Sequence, residues 1–223
     1  MSKTIHIFGG GTVQHVRSHF ALCAPAYGQF AREMARRLGP TTFLAKIWQK
    51  VSRCGPKVHL HLTKMADSSS TMETNEDVAS RVAQVLKDPN TKVVIFNVAM
   101  CDYSGQIGDV PSGKYATRMS SRDGHTSVQL SPADKVLPSI HKLRPDVLVV
   151  GFKTTTGDDL HTQLAKARRQ MDEAGVDLVW VNDTVSRVNF IESSDLNVAR
   201  APQGASRTQL MDWLADLLRH SVK

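Results

Sequence analysis

Three largely apolar runs constrain this chain more than any other feature: KVVIFNV at residues 92–98, DVLVVGF at 146–152 and DLVWV at 177–181. Side chains alternate across a strand, so a strand that is apolar at every position must be covered on both faces. That is the situation of a parallel sheet with helices above and below it. Helical stretches lie between and around the runs. One spans 133–143 and ends before Arg144-Pro145, and another spans 158–174 and stops at Gly175. Upstream, the β-branched run 4–8 halts at Gly9-Gly10-Gly11-Thr12, which reads as a strand followed by a tight glycine loop. Residues 27–38 carry Phe30, Met34 and Leu38 at helical spacing before Gly39-Pro40, and 41–46 and 58–63 are strand-like. Asn75 is placed to N-cap a helix running to Lys87, with Asp77 in its first turn. Farther on, 127–130 reads as a short strand, and 188–191 with 197–200 as a small antiparallel pair. Ser206 reads as the cap of a final amphipathic helix bearing Leu210, Trp213, Leu214, Leu217 and Leu218. Strands alternating with helices predict an α/β fold. Its sheet is doubly wound, mostly parallel and Rossmann-like, in a single nucleotide-binding domain over 1–223.

Several classes are excluded. No apolar run reaches the roughly 18–20 residues of a membrane span. The N-terminal MSKTIHIFGGG enters an apolar strand without a secretory h-region, so the expectation is a cytoplasmic protein. Cys23, Cys54 and Cys101 have no CxxC spacing, which argues against a disulfide scaffold and a structural zinc site. Cys101 reads as a small buried thiol. His59 and His61 share one face of a strand, and the reading for them is a partnered or exposed pair, not a metal site. The net charge of +7 suits a protein that handles phosphorylated ligands. Its basic residues are scattered, with no long Lys/Arg run, which disfavours nucleic acid.

In a doubly wound sheet, ligands bind beyond the C-terminal ends of the strands. The segments to inspect therefore follow Phe8, Asn97, Phe152 and Val181. The glycine loop lets backbone N–H groups approach an anion, and reads equally well as a tight turn. Asp102 can hold a ribose, a base edge or a metal, or cap a loop. Phe152 can flank a nucleobase, with Lys153 and the threonines after it suited to phosphates. Lys166 and Arg169 share a helix face, either for a polyphosphate or for solvent. Residues 103–125 are rich in Gly, Ser and charge, and are long enough to serve as an active-site flap.

In order and spacing, these segments resemble the phosphopantothenoylcysteine synthetase family over most of the chain. The resemblance rests on Gly10-Gly11-Thr12 followed by Val16-Arg17, and on Asn97-Val98-Ala99-Met100-Cys101-Asp102-Tyr103. It also rests on the flap segment Arg118-Met119-Ser120-Ser121 with Lys135-Val136-Leu137 downstream, on FKTTTGD from Phe152, and on Val181-Asn182-Asp183. It implies a ligase of coenzyme A biosynthesis. A carboxylate attacks the α-phosphate of a nucleoside triphosphate, pyrophosphate leaves, and the cysteine amine displaces the nucleotide from the acyl intermediate. It implies ATP or CTP as co-substrate, with ATP favoured by Phe152-Lys153, together with Mg²⁺ and a homodimer to which 188–200 contributes. By position, Phe96, Asn97, Val98, Asp102, Lys135, Phe152 and Lys153 would contact the nucleotide, and Lys166 would take phosphate charge. Arg118 stands in place of the family's flap lysine, with Lys114 as its substitute. Gly10, Gly11, Thr12, Arg17 and Asn182 would face the acyl substrate, and Ala21 stands where the family has an asparagine. Two alternatives stay open: a nucleotide-binding protein of the same fold without ligase turnover, and an NAD(P)-dependent oxidoreductase.

Overall fold

The computed structural model describes residues 3–39, 55–195 and 204–221. In chain order these form β1 (Thr4–Gly11), β2 (Val13–Arg17), β3 (Phe20–Cys23), α1 (Gln29–Leu38), β4 (Lys57–Leu62), α2 (Asn75–Leu86) and β5 (Thr91–Ala99). There follow β6 (Tyr103–Gln106), β7 (Gln129–Pro132), α3 (Leu137–Leu143), β8 (Leu148–Thr155), α4 (Leu160–Ala174), β9 (Leu178–Asp183), β10 (Asn189–Ser193) and α5 (Arg207–Ser221). Six strands make one sheet in the order β10-β9-β8-β5-β1-β4, parallel throughout except for β10. Two hairpin-like pairs, β2 with β3 and β6 with β7, stand apart from it.

Strand alternation divides the apolar runs between two cores. Val93, Ile95, Val150, Leu178 and Trp180 face one side, where α1 and α5 bring Phe30, Met34, Leu210 and Leu214 onto them. Val94, Phe96, Val149, Val179 and Val181 face the other, under Val78 and Val82 of α2, Ile140 of α3 and Met171 of α4. Burying both faces of the sheet is what made the runs continuous in sequence. Among the described residues, no helix is long and apolar enough to cross a membrane.

The helix starts carry the chemistry expected of them, with one shift. Thr74, not Asn75, is the N-cap of α2, in a reciprocal capping box with Asp77. Asp159 caps α4, accepting from the Thr162 N–H at 2.7 Å. At α5, Ser206 and Gln209 exchange hydrogen bonds: the Gln209 N–H donates to Ser206 Oγ at 3.3 Å, and the Ser206 N–H donates to Gln209 Oε1 at 2.9 Å.

Three expectations change. The glycines are not a loop after β1 but its last residues, fully buried and paired with β5 through Gly11↔Ala99. A Cβ on Gly9 would fall 2.4 Å from Ala31 Cβ in α1, and one on Gly10 would fall 2.2 Å from Thr63 Oγ1. The stretch after them, irregular in sequence, is the β2–β3 hairpin. Finally, β10 joins the main sheet antiparallel to β9, where the sequence suggests a pair with 197–200. That segment, the strand expected at 41–46 and Cys54 lie outside the described residues.

His6, His59 and His61 stack on one another, with His61 also against Phe8 at 4.6 Å between ring centroids. His6 Nδ1 and His61 Nε2 lie 2.9 Å apart and share one proton. Burial, then repulsion from neighbouring imidazoles, lowers His6 from the ordinary 6.5 to about 4 and His61 to about 3. Both rings stay neutral in the fold, while the unfolded chain takes up protons below pH 6.5. Stability should therefore hold above pH 6.5 and fall as the pH drops toward about 4. Urea midpoints measured from pH 7.5 to 4.5 test this. His61→Phe, which keeps a ring against Phe8, should give a shallower slope, and an unchanged slope would remove His61 as a cause. Gly10 has φ 109°, so Gly10→Ala combines backbone strain with a clash. It should cost at least about 2 kcal/mol in the same titration.

Candidate active site

A cleft of about 290 Å³ opens at the C-terminal ends of β5, β8 and β9, where the parallel topology places ligand sites. The N-terminal turn of α1 forms one wall with Tyr27, Gly28, Gln29 and Phe30, and the start of α5 adds Arg207. Asn97, Phe152, Trp180 and Asn182 come up from the strands. The aromatic side is tightly built: Phe30 meets Phe152 edge-on at 4.7 Å and Trp180 at 5.0 Å, with Phe152 and Trp180 stacked at 6.2 Å. Gly28, the N-cap of α1, is left-handed at φ 69° and supplies no side-chain cap.

Hydrogen bonds fix the strand ends that carry these groups. Thr154 Oγ1 donates to Asn182 Oδ1 at 3.1 Å, and Trp180 Nε1 donates to Asn189 Oδ1 at 3.1 Å. Asp183, beside Asn182, accepts from the N–H groups of Ser186 (2.7 Å), Val185 (3.0 Å) and Gly157 (2.8 Å), and from Thr155 Oγ1 (2.8 Å). These donors, the Ser186 N–H first, hold its carboxyl well below the usual range. Asp183 thereby ties β9 to β8, in a register that sets Asn182 opposite Thr154 and Trp180 opposite Phe152.

Of the residues expected in the site, this cleft gathers Asn97, Phe152 and Asn182. Alternation removes the neighbours of two of them. Phe96 and Val98 point to the opposite face and pack under α2, and Lys153 turns away from the face of Phe152. Lys166 is outside the lining, with Nζ 2.5 Å from Asp158 Oδ2. Asp102 and Lys135 form an ion pair with each other near the β6–β7 arm. Arg118, exposed in the flap, makes no ion pair or hydrogen bond among the described residues.

Three further expectations land on structural positions. Gly10 and Gly11 are packed inside β1. Thr12 is fully buried, donating to Asn75 Oδ1 at 2.7 Å and accepting from the Cys101 N–H at 2.9 Å. Asn75 Nδ2 completes the network by donating to the Cys101 carbonyl at 2.9 Å. Arg17 is buried as well, and its guanidinium donates to the carbonyls of Val16 at 2.7 Å and Ile107 at 2.5 Å, binding the hairpin to the root of the flap. Ala21 sits in β3, opposite His15, outside the cleft. Burial pushes the Cys101 thiol up, in keeping with an inert role.

A larger groove of about 770 Å³ lies between β2, the start of α2, β6 and the flap, and Lys114 is the one expected residue among its lining. Lys114 pairs there with Glu73, which also has Lys64 and His15 each at 3.6 Å. The hydrogen bond from Lys114 leads the effects that hold the Glu73 carboxyl below its ordinary value. The groove is polar and its principal carboxylate is already neutralised, whereas the smaller cleft combines an aromatic wall with the amides of Asn97 and Asn182 at the strand ends. We place the site in the smaller one.

The sequence reading missed Phe30, Trp180 and Arg207. Trp180 lies in a flagged strand two residues before Asn182, on the same face by alternation, so that signal was present. Phe30 and Arg207 arrive from helices, and only the packing of α1 and α5 brings them in.

Comparison with known proteins bears on the family and the fold. Residues 48–212 match the model of the DNA/pantothenate metabolism flavoprotein C-terminal domain family. The chain belongs to that family. It is 28% identical over 134 residues to the coenzyme A biosynthesis bifunctional protein CoaBC of Thermococcus kodakarensis, a stretch covering 57% of this chain and 31% of that relative. The match thus spans about a third of the relative's length. Among solved structures, the DNA/pantothenate metabolism flavoprotein from Streptococcus pneumoniae superposes with a TM-score of 0.70 at 17% identity, over 99% of this chain and 98% of that one. A Cab2 mutant in complex with phosphopantothenate-cysteine gives 0.64 at 15% identity, over 98% and 86%. At such identities the structures establish the fold.

The Thr12 network joins the end of β1, the start of α2 and the turn after β5. Thr12→Val keeps the shape but removes the hydroxyl, so Asn75 Oδ1 loses its 2.7 Å donor and the buried Cys101 N–H keeps only its 3.3 Å bond to that oxygen. It should lower the unfolding free energy by about 1–3 kcal/mol. A variant as stable as the parent would show that the network carries no weight.

Proposed function

We propose that this protein is a nucleotide-activated acid–amine ligase of the phosphopantothenate–cysteine type, acting as a homodimer. The observation that carries the reading is the cleft that unites Asn97, Phe152 and Asn182 at the strand ends of a chain in this family. Its aromatic wall of Phe30, Phe152 and Trp180 suits a nucleobase, and the two amides supply donors and acceptors for a base edge or ribose. In the first half-reaction a carboxylate oxygen bonds to the α-phosphorus as the bond to the pyrophosphate leaving group breaks. In the second, the amine nitrogen bonds to the acyl carbon, the nucleotide departs and an amide remains. The protein's task in both is to hold the reactants in line and to place donors where negative charge develops. Among the described residues no carboxylate lines the cleft, so they supply no metal cage there. Magnesium would enter bound to the phosphates of the nucleotide.

One observation favours the second reading, nucleotide binding without completed turnover. Ala21 stands where the resemblance expects an asparagine, and a methyl group cannot donate a hydrogen bond to an acyl intermediate. Losing one such donor typically slows an acyl transfer by about a hundred- to a thousandfold.

Two experiments test these readings. In a thermal-shift series, ATP with Mg²⁺ should raise the melting temperature more than CTP, NAD or NADP, since a ligand bound only to the native state stabilises it. A larger shift with NADP would replace the ligase with an oxidoreductase. In the second, pyrophosphate and amide are followed in parallel with 4′-phosphopantothenate, cysteine and ATP. Pyrophosphate release with slow condensation is expected, and Ala21→Asn should accelerate the amide step. Fast native condensation would remove the asparagine argument, and no pyrophosphate from either protein would reject this acid as the substrate.

A further inference from the structure

Arg207 is the first residue of α5, and its position in the cleft was not legible in the sequence. Its guanidinium carbon lies 5.6 Å from the centroid of Phe30 and 5.8 Å from that of Trp180, the two rings that form the cleft wall with Phe152. It makes no ion pair or hydrogen bond among the described residues, although the side chain is exposed and carboxylates are common on this surface. A guanidinium laid against aromatic rings is held flat by them while its N–H edges stay open. Such an edge matches two oxygens of a phosphate better than a lysine ammonium does.

Three of the other cations expected to meet the ligand are held by carboxylates, and Arg118 and Lys153 also stand outside the cleft lining. Lys166 holds Asp158, Lys135 holds Asp102 and Lys114 holds Glu73, and none of the three lines the cleft. Among the described residues, Arg207 is the cation that lines it, beside the first turn of α1, which has no side-chain cap. The amides Asn97 and Asn182 and the ring of Phe152 fall to the sugar and base, which leaves the guanidinium for the charged part of the ligand.

We infer that Arg207 is a ligand-binding residue that takes the phosphate charge of the nucleotide in this cleft, the role the family resemblance assigns to Lys166. The inference rests on the nucleotide reading above, but the anion subsite it describes can be probed without a base. The experiment uses the full chain and its Arg207→Ala, Arg207→Lys and Lys166→Ala variants. Dissociation constants are measured by calorimetry for ATP, adenosine and inorganic tripolyphosphate, with melting temperatures recorded to show that each variant folds. Arg207→Ala should weaken ATP and tripolyphosphate roughly ten- to a hundredfold. Adenosine should change by no more than about threefold, which is the range of a lost edge contact with a ring. Arg207→Lys should recover part of the affinity, and Lys166→Ala should resemble the parent. Equal losses for ATP and adenosine would overturn the assignment, because Arg207 would then merely shape the aromatic wall. Unchanged ATP affinity in Arg207→Ala would also overturn it, as would a parent that binds neither ATP nor tripolyphosphate. If the parent binds tripolyphosphate through Arg207 but ATP no more tightly, the anion subsite stands and the nucleotide reading fails.

Discussion

The approach of α1 onto the end of β1 governs everything at the cleft. A Cβ on Gly9 would lie 2.4 Å from Ala31 Cβ, so the helix can ride this low only because the strand has no side chain there. Had β1 ended in ordinary residues, α1 would stand farther off the sheet, and Phe30 could not reach Phe152 and Trp180 together. The same descent points the first turn of α1, at Gly28, into the space above the strand ends. A glycine run that looks like a phosphate loop in sequence is thus first a packing device. Its influence on the ligand site is indirect, through where it lets the helix sit.

The second constraint is the pleat. The chain offers Phe96, Asn97 and Val98 in succession, and burial of both sheet faces leaves only Asn97 to the cleft while its neighbours enter the core under α2. The same rule takes Phe152 and rejects Lys153, and takes Trp180 and Asn182 with Val181 going to the opposite core. This explains how far the site was readable. The largely apolar runs identified the sheet, its strands and the ends to inspect, because period-two burial is written directly into residue type. The contributors from helices were not readable, since whether Phe30 or Arg207 reaches a strand end depends on helix docking, which no local pattern encodes.

Polar residues were the harder case for a related reason. Thr12, Arg17 and Asn75 are common hydrogen-bonding types, and sequence order alone suits each to a ligand or a cap. Their partners are remote in sequence: Thr12 meets Asn75 and Cys101, and Arg17 meets the Ile107 carbonyl. Buried donors and acceptors must be satisfied somewhere. Once these pairs form they lock the hairpin, the start of α2 and the flap root around the strand ends. The rigidity of the cleft floor also comes from such bonds, most clearly at Asp183, which joins β9 to the end of β8.

Charge completes the picture. With a formal excess of +7, cations alone say little about where an anion binds. What distinguishes them is the state each must leave. A phosphate recruiting Lys114 must separate it from Glu73, and one recruiting Lys166 must separate it from Asp158, exchanging one ion pair for another with small net gain at a half-exposed site. Such an exchange is useful where binding has to move something: Lys114 lies in the flap, so drawing it from Glu73 to a ligand would displace the segment that carries it. A cation resting on aromatic rings loses no carboxylate partner and is already oriented, so its contact with phosphate is nearly all gain. On the proposed reading the chain separates two tasks that one basic cluster could not perform together, with a pre-oriented cation in the cleft and ion-paired cations outside it.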